Sequence, residues 1–255
     1  HSFLPLQKIT LTLVTKEELN QLFESFSSMN ILVIGDVMVD NYMWGKVERI
    51  SPEAPVPVIS IKDRERRLGG AANVALNLRA LGATPIMASV IGNDENGKWF
   101  LSRLKQKEIG DQGIIVDPSR PTTVKTRIIG GSQHLLRVDE ENSSDIPEMI
   151  TAELFSKINN IITYDNIDAI IFEDYDKGVI TPGLIKKVVE LANEKVIPVT
   201  VDPKKRNFLN YKGVDLFKPN FREMLDGLKV DLNKNDFEGL FDAAGILHDN
   251  NDIKL

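Results

Sequence analysis

The sequence predicts an α/β fold, in which a mostly parallel central sheet carries helices on both faces and a small antiparallel sheet stands off it as a lid. Three observations lead there. Short, nearly continuous apolar runs alternate along the chain with longer segments whose apolar residues recur at helical spacing. Unbroken apolar runs of strand length are what a parallel sheet buried on both faces requires. Two further stretches break this rhythm and alternate apolar with polar residues, as strands with one wet face do.

The elements follow in order. "TKEELNQLFESF" reads as a helix after a loose start, with Thr15 and Glu18 in a capping-box pattern and Leu19, Leu22, Phe23 and Phe26 at helical spacing. "NILVIGD" is a buried strand. A helix from about Ala71 to Leu81 stops at Gly82, a residue suited to the position just past a helix end. "PIMASVIG" is a strand, "GKWFLSRLKQK" a helix and "GIIV" a short strand. "PEMITAELFSKINNI" is helical, "DAIIFED" a strand, and "TPGLIKKVVELANEK" a helix capped by Thr181 with Pro182 at its first position. "VIPVTVD" and "VDLFKPN" are strands, and "FREMLDGL" begins another helix. The exceptions are "APVPVISIK" and "TTVKTRIIGGSQHLLRVD", the second reading as two strands joined at Gly-Gly. Residues 1–29 are therefore expected to be an extension with one helix. Residues 30–255 are expected to form one domain, with lid strands at about 40–66 and 120–139.

Composition narrows the function. With 255 residues, 42% of them hydrophobic, the chain can bury one large core. A formal charge of −6 argues against a nucleic-acid partner, whose footprint would be basic, while a local arginine cluster could still serve an anionic substrate. The absence of cysteine excludes disulfides, thiolate metal sites and a cysteine nucleophile. No apolar run reaches the roughly 20 residues of a membrane span, and the start lacks the pattern of a signal peptide. The cytoplasm is the expected compartment.

In open parallel sheets ligands bind beyond the carboxyl ends of the strands. There the sequence places Asp36 and Asp40, then Glu173, Asp174, Asp176 and Lys177, then Asp202 and Lys204, then Asn220 and Glu223. Taken singly these are ordinary loop formers and helix caps. Together, with lysines interleaved, they suit magnesium and phosphates, since magnesium binds through one or two carboxylates plus substrate phosphate. The helix opening "LGGAANVAL" offers bare backbone N–H groups to an oxygen-rich ligand, with Asn73 able to donate and accept. Close packing of helix on strand is the competing explanation of the same small residues. The stretch is neither a Walker A loop nor a dinucleotide fingerprint, so a polyol would serve as well as a nucleotide.

"GGAANVALNLRALGA" resembles the first signature of the ribokinase-like (PfkB) carbohydrate kinases, and "GDVMVDNYMWG" resembles their first strand and sugar-binding aspartate. Within the family, "RISPEAPVPV", "DYDKG", "VDPK" and "KPNFRE" are similar to the members that phosphorylate D-glycero-β-D-manno-heptose 7-phosphate. The resemblance runs from about Ile31 to about Asp226.

The resemblance implies a kinase using ATP and Mg²⁺ on a phosphorylated sugar. Asp40 would hold sugar hydroxyls, with Gly69, Gly70 and Asn73 closing the pocket. Asn220 and Glu223 match the family's Asn-x-x-Glu, which positions magnesium and the ATP phosphates, with Asp174 as a further metal candidate and Lys177 and Lys204 on the nucleotide side. For the 7-phosphate the candidates are Arg49, Lys125, Arg127 and Arg137; basic residues also guard edge strands against pairing, which is their competing explanation. The lid implies a homodimer.

The family's second signature, a Gly-Ala-Gly-Asp whose aspartate is the general base, does not occur in the sequence. The expectation is that this part of the fold is missing from a fragment, which would be inactive for want of the base. Three alternatives stay open: a kinase of the same fold with another sugar or nucleoside acceptor, a non-catalytic sugar-binding module, and a dehydrogenase.

Overall fold

The computed structural model describes residues 15–255; the loose start ahead of Thr15 lies outside them. Helix α1 (Lys16–Phe26) begins at the expected capping box, the Thr15 side chain accepting from the Glu18 N–H while the Glu18 carboxylate accepts from the Thr15 N–H at 2.8 Å. Its apolar Leu19, Leu22 and Phe23 stay exposed. Strand β1 (Asn30–Gly35) follows, then only Asp36 separates it from β2 (Val37–Ile50). β3 (Pro57–Gly70) runs straight into α2 (Ala71–Ala80), and Gly82 just beyond takes a positive φ of 104°. β4 (Thr84–Gly92), α3 (Glu95–Gln106), β5 (Gly110–Asp117), β6 (Val124–Gly130) and β7 (Gln133–Glu140) come next. The chain continues with α4 (Glu148–Tyr164), β8 (Ala169–Glu173), α5 (Pro182–Glu194), β9 (Val199–Asp202), β10 (Leu216–Phe217), α6 (Phe221–Leu228) and α7 (Phe237–Asn251).

The main sheet has the order β10-β9-β8-β1-β4-β5, and all its pairings are parallel. Alternate residues of β1 face opposite layers. Leu32 and Ile34 pack with Leu154 and Ile158 of α4 and with Leu184 and Val188 of α5; Ile31 and Val33 pack with Ala71 and Ala75 of α2 and with Phe100 and Leu104 of α3. That is the double burial the unbroken apolar runs required.

The second sheet has the order β3-β2-β6-β7. The expected antiparallel hairpin, β6 with β7, is present; β2 also pairs antiparallel with β3, and a parallel β2–β6 pair joins the two hairpins. β2 was not singled out as a separate long strand. Its first three residues are buried on the body and the remainder rises into the lid.

Helix α7 was also not foreseen. Asp236 caps it, but Gly239, Gly245 and the polar run at its end dilute the helical pattern. Beyond it the last residues lie along the outer edge of β10, where the Phe217 N–H donates to the Leu255 carbonyl at 2.8 Å. Among the described residues no helix is long and apolar enough to cross a membrane.

Candidate active site

The carboxyl ends of β1, β8, β9 and β10 open toward the lid, and most of the expected polar residues gather there. Two glycines set the geometry at the head of α2. Gly69 leaves room for the Asp40 carboxylate: a Cβ there would sit 2.2 Å from Asp40 Oδ2. Gly70, the N-cap residue of α2, has φ of +58°, and a Cβ on it would meet the Asp36 carbonyl at 2.4 Å. No side chain caps α2; the Ala71 N–H is bound by the Asp36 carbonyl at 3.0 Å. Asn73, on the first turn, has an exposed side chain. Small residues thus serve both explanations offered above: Ala71 and Ala72 are packed into the core, while Gly69 makes space for a carboxylate.

Asp40 lies opposite Arg67 on β3 and Lys125 on β6, and its carboxylate is paired with Arg127. Arg127 and Arg67 both stand over the Tyr42 ring, at 5.2 and 4.8 Å. Lys125 bonds Asp139 at 3.0 Å and Glu141 at 2.9 Å, and Glu141 in turn holds Lys177 at 2.8 Å. Glu141 therefore ties the lid to the loop after β8. Burial works to raise its pKa, but the bonds from Lys177 and Lys125 prevail and hold it below the usual range.

That loop is fixed from beneath. The buried Asp36 carboxylate accepts the N–H groups of Tyr175, Lys177 and Val179 at 2.8, 3.1 and 3.1 Å. Burial pushes the pKa of Asp36 up, and these N–H groups counter it. Arg120, also buried, donates to the carbonyls of Lys177 and Asn142 at 2.6 and 2.7 Å.

A second ionic group lies at the ends of β8, β9 and β10. Lys204 pairs with Glu223, and Lys218 pairs with Asp202 at 2.8 Å. Asn220 and Glu223 form a capping box at the start of α6, the Asn220 N–H donating to Glu223 Oε2 at 2.8 Å. Glu173 stands beside Asp202 in the parallel register. Burial, then the Asp202 charge, pushes the Glu173 pKa up to about 7. Tyr175 lies between the two groups: burial and the charges of Glu173, Asp202, Asp40 and Glu223 push its hydroxyl up to about 12.

Three expected residues sit differently. Asp174 is turned inward, with Oδ1 accepting the Asp176 N–H at 2.9 Å and Oδ2 accepting from Asn207 and Tyr211 at 3.1 and 3.0 Å. Three of its acceptor positions are thus taken by core partners, which speaks against its assignment as a metal ligand. Arg49 is exposed nine residues further along β2 than Asp40, roughly 30 Å at strand rise, so the two do not share a pocket. Arg137 lies directly opposite Arg127 but is the more exposed of the two, and it is paired with Asp139. Arg120, Glu141, Tyr175 and Lys218 were not among the residues the sequence singled out, and Asp36 was placed at the crevice without a role. "DYDKG" and "KPN" marked the loops of Tyr175 and Lys218, but nothing local marks Arg120 or Glu141, whose partners are distant in sequence.

Among the described residues no three His, Cys, Asp or Glu side chains form a metal cage. The donors at hand are oxygens, chiefly Glu223, Glu173 and Asp202, interleaved with lysines. That set fits a hard ion such as Mg²⁺ held partly by substrate phosphates, and not a closed structural site.

The model of the pfkB family of carbohydrate kinases matches residues 28–251. A protein of Pelobacter propionicus named bifunctional protein HldE is 40% identical over 91% of this chain and 47% of its own length. Proteins of the same name from Geobacter sulfurreducens and Helicobacter pylori are 42% and 43% identical, over 82% and 80% of the chain and 42% and 44% of their own lengths. The chain thus spans less than half the length of these curated relatives. Among solved structures, Escherichia coli phosphofructokinase-2 in a tetrameric inhibited form superposes with a TM-score of 0.65 at 14% identity, covering 89% of this chain and 71% of that one. Arabidopsis thaliana ribokinase, solved with ribose and ATP, gives 0.63 at 15%, covering 89% and 70%. At such identities the structural likeness speaks for the fold, which is ribokinase-like.

Proposed function

Because the chain belongs to the pfkB family of carbohydrate kinases, we propose that it carries the kinase part of an enzyme that phosphorylates D-glycero-β-D-manno-heptose 7-phosphate at O1. The observation that carries this reading is Asp40, a carboxylate seated against the bare backbone of Gly69 at the head of α2 and facing the crevice. The choice of heptose rests on "RISPEAPVPV" and on relatives of about 40% identity named HldE. The reaction belongs to lipopolysaccharide-core precursor synthesis and to the cytoplasm, where ATP is available.

In this reading Asp40 accepts hydrogen bonds from sugar hydroxyls and the N–H groups at the start of α2 face the acceptor, with Asn73 beside them. Arg127, paired with Asp40, and Lys125, opposite Asp40 on β6, exchange their carboxylate partners for the 7-phosphate. Lys204, Lys218 and Asn220 face the triphosphate side, and Glu223 with Asp202 would hold Mg²⁺, which supplies charge neutralisation on the transferred phosphoryl group. The O1 proton would pass to the aspartate of the family's second signature, which this sequence does not contain, as O1 bonds the γ-phosphorus and the bond from that phosphorus to the β,γ-bridging oxygen breaks to release ADP. Alignment of acceptor and donor is the main task of the protein here. The Glu141 link brings the lid over the loop and keeps water from the phosphoryl group.

A homodimer through the lid completes the reading, because Val47, Ile50, Val56, Leu136 and Val138 leave apolar surface exposed on it. Calorimetric titration with heptose 7-phosphate, unphosphorylated heptose and fructose 6-phosphate tests the assignment, alongside phosphorus NMR of the products formed with ATP. Preference for heptose 7-phosphate supports it; equal handling of unphosphorylated hexoses removes it. Binding of the sugar without any transfer by the natural enzyme favours a non-catalytic module instead.

A further inference from the structure

On the far side of the lid from Asp40, β2, β3 and α3 enclose a cleft of about 490 Å³ lined by Asn41, Met43, Arg64, Glu65, Arg66, Trp99 and Arg103. The register explains the grouping. Asn41 lies opposite Arg66 and Met43 opposite Arg64, one position out of step with Asp40 and Arg67, so they occupy the opposite face of the sheet. The two strand arginines are two residues apart and point the same way, while Arg103 approaches from α3 on the body.

Among the described residues none of these three guanidinium groups is paired with a carboxylate. Arg103 bonds the neutral Gln106 side chain, and Arg64 is joined to Asp63 only through its backbone N–H. The one acid in the lining, Glu65, is gripped by both prongs of Arg67 at 2.6 Å and feels Arg103 only at longer range. Guarding the edge strand accounts for Arg64 and Arg66 but not for Arg103 or for the half-buried Trp99, which lie on a helix. Three guanidinium groups without an ion-pair partner, against the single carboxylate of Glu65 that Arg67 already holds, lower the free energy of an anion in this concavity, and their planar forks suit phosphate oxygens.

We propose that this cleft is a second anion site, separate from the sugar pocket, which binds a phosphate-bearing small molecule and joins the lid to α3 while it is bound. The proposal does not depend on the kinase reading, because binding here involves none of the residues assigned to the sugar or to ATP.

The sequence has two tryptophans, Trp44 and Trp99, so a Trp44→Phe chain reports on Trp99 alone. Its fluorescence is titrated with pyrophosphate at constant ionic strength. The expected result is a saturable change, half complete below about 1 mM, weakened at least tenfold by Arg66→Ala with Arg103→Ala and unaltered by Asp40→Ala. If the Trp44→Phe chain does not fold, as judged by circular dichroism, calorimetry on the unaltered chain and on the arginine and Asp40 variants takes its place with the same expectations. No saturable signal, an equal response to potassium chloride, an arginine variant that titrates like its parent, or a titration altered in either direction by Asp40→Ala would each overturn the proposal. The last result would place the anion in the sugar pocket.

Discussion

The carboxylate of Asp36 accepts the backbone N–H of Lys177 at 3.1 Å, across 141 positions of sequence, and it holds Tyr175 and Val179 in the same grip. A residue at the end of the first strand therefore sets the path of the loop that carries Lys177 and Tyr175 into the site. Asp36→Ala strips three N–H groups of their acceptor, that of Val179 buried and those of Tyr175 and Lys177 part-buried; loss at a buried group costs about 1–3 kcal/mol, and less where water reaches. The expected outcome is a lower urea midpoint and faster amide exchange across residues 175–179. Exchange that stays at the parental rate there would mean that Arg120 and Glu141 hold the loop without Asp36.

Gly69 and Asp40 make a paired test. Asp40→Ala removes a charged acceptor worth about 1.5–3 kcal/mol, so heptose 7-phosphate binding should weaken roughly 10- to 150-fold. Gly69→Ala leaves Asp40 in the chain but sets a methyl group 2.2 Å from its carboxylate, which must turn away. The same direction of loss is expected from both, with α2 intact by circular dichroism. A Gly69→Ala chain that binds like its parent would show that Asp40 is not the grip on the sugar.

What the sequence made legible follows from the range of the forces involved. Strands β1 and β4 and helices α4 and α5 were readable because burial on a sheet face imposes its period on neighbouring residues. Thr15, Thr181 and Asn220 were readable as caps because a cap and its target lie within one turn. Asp36, Arg120 and Glu141 were not, since their partners come from loops far away in sequence. Asp174 shows the same limit from the other side. Its position at a strand end placed it near the crevice, but only packing reveals that Asn207 and Tyr211 draw it into the core.

The lid's exposed apolar residues give the assembly prediction. Leu136→Lys with Val138→Lys places two charges on β7 that an apolar interface cannot solvate. In sedimentation velocity the parent is expected to run as a dimer and the double variant as a monomer with unchanged far-ultraviolet circular dichroism. A parent that sediments as a monomer at tens of micromolar removes the homodimer.

Glu173 carries a prediction for pH. Its folded pKa, about 7, lies above its ordinary 4.5, because burial and the neighbouring Asp202 both disfavour the charge. The folded state therefore binds its proton more tightly than the unfolded chain does. Between about pH 4.5 and 7 the native form holds more protons, so this group's contribution to stability falls as pH rises through that window. Glu173→Gln keeps the shape and removes the titration. Denaturant melts of the two proteins should coincide near pH 4 and diverge above it, with the variant the more stable by on the order of 1 kcal/mol at pH 8 once solvent screening is allowed for. Mg²⁺ with ATP should narrow that gap in the parent alone, because a cation beside Asp202 offsets the repulsion that raises Glu173. Melts that stay parallel from pH 4 to 8 would show that Glu173 and Asp202 do not share a field, and the metal reading of this corner would lose its electrostatic basis.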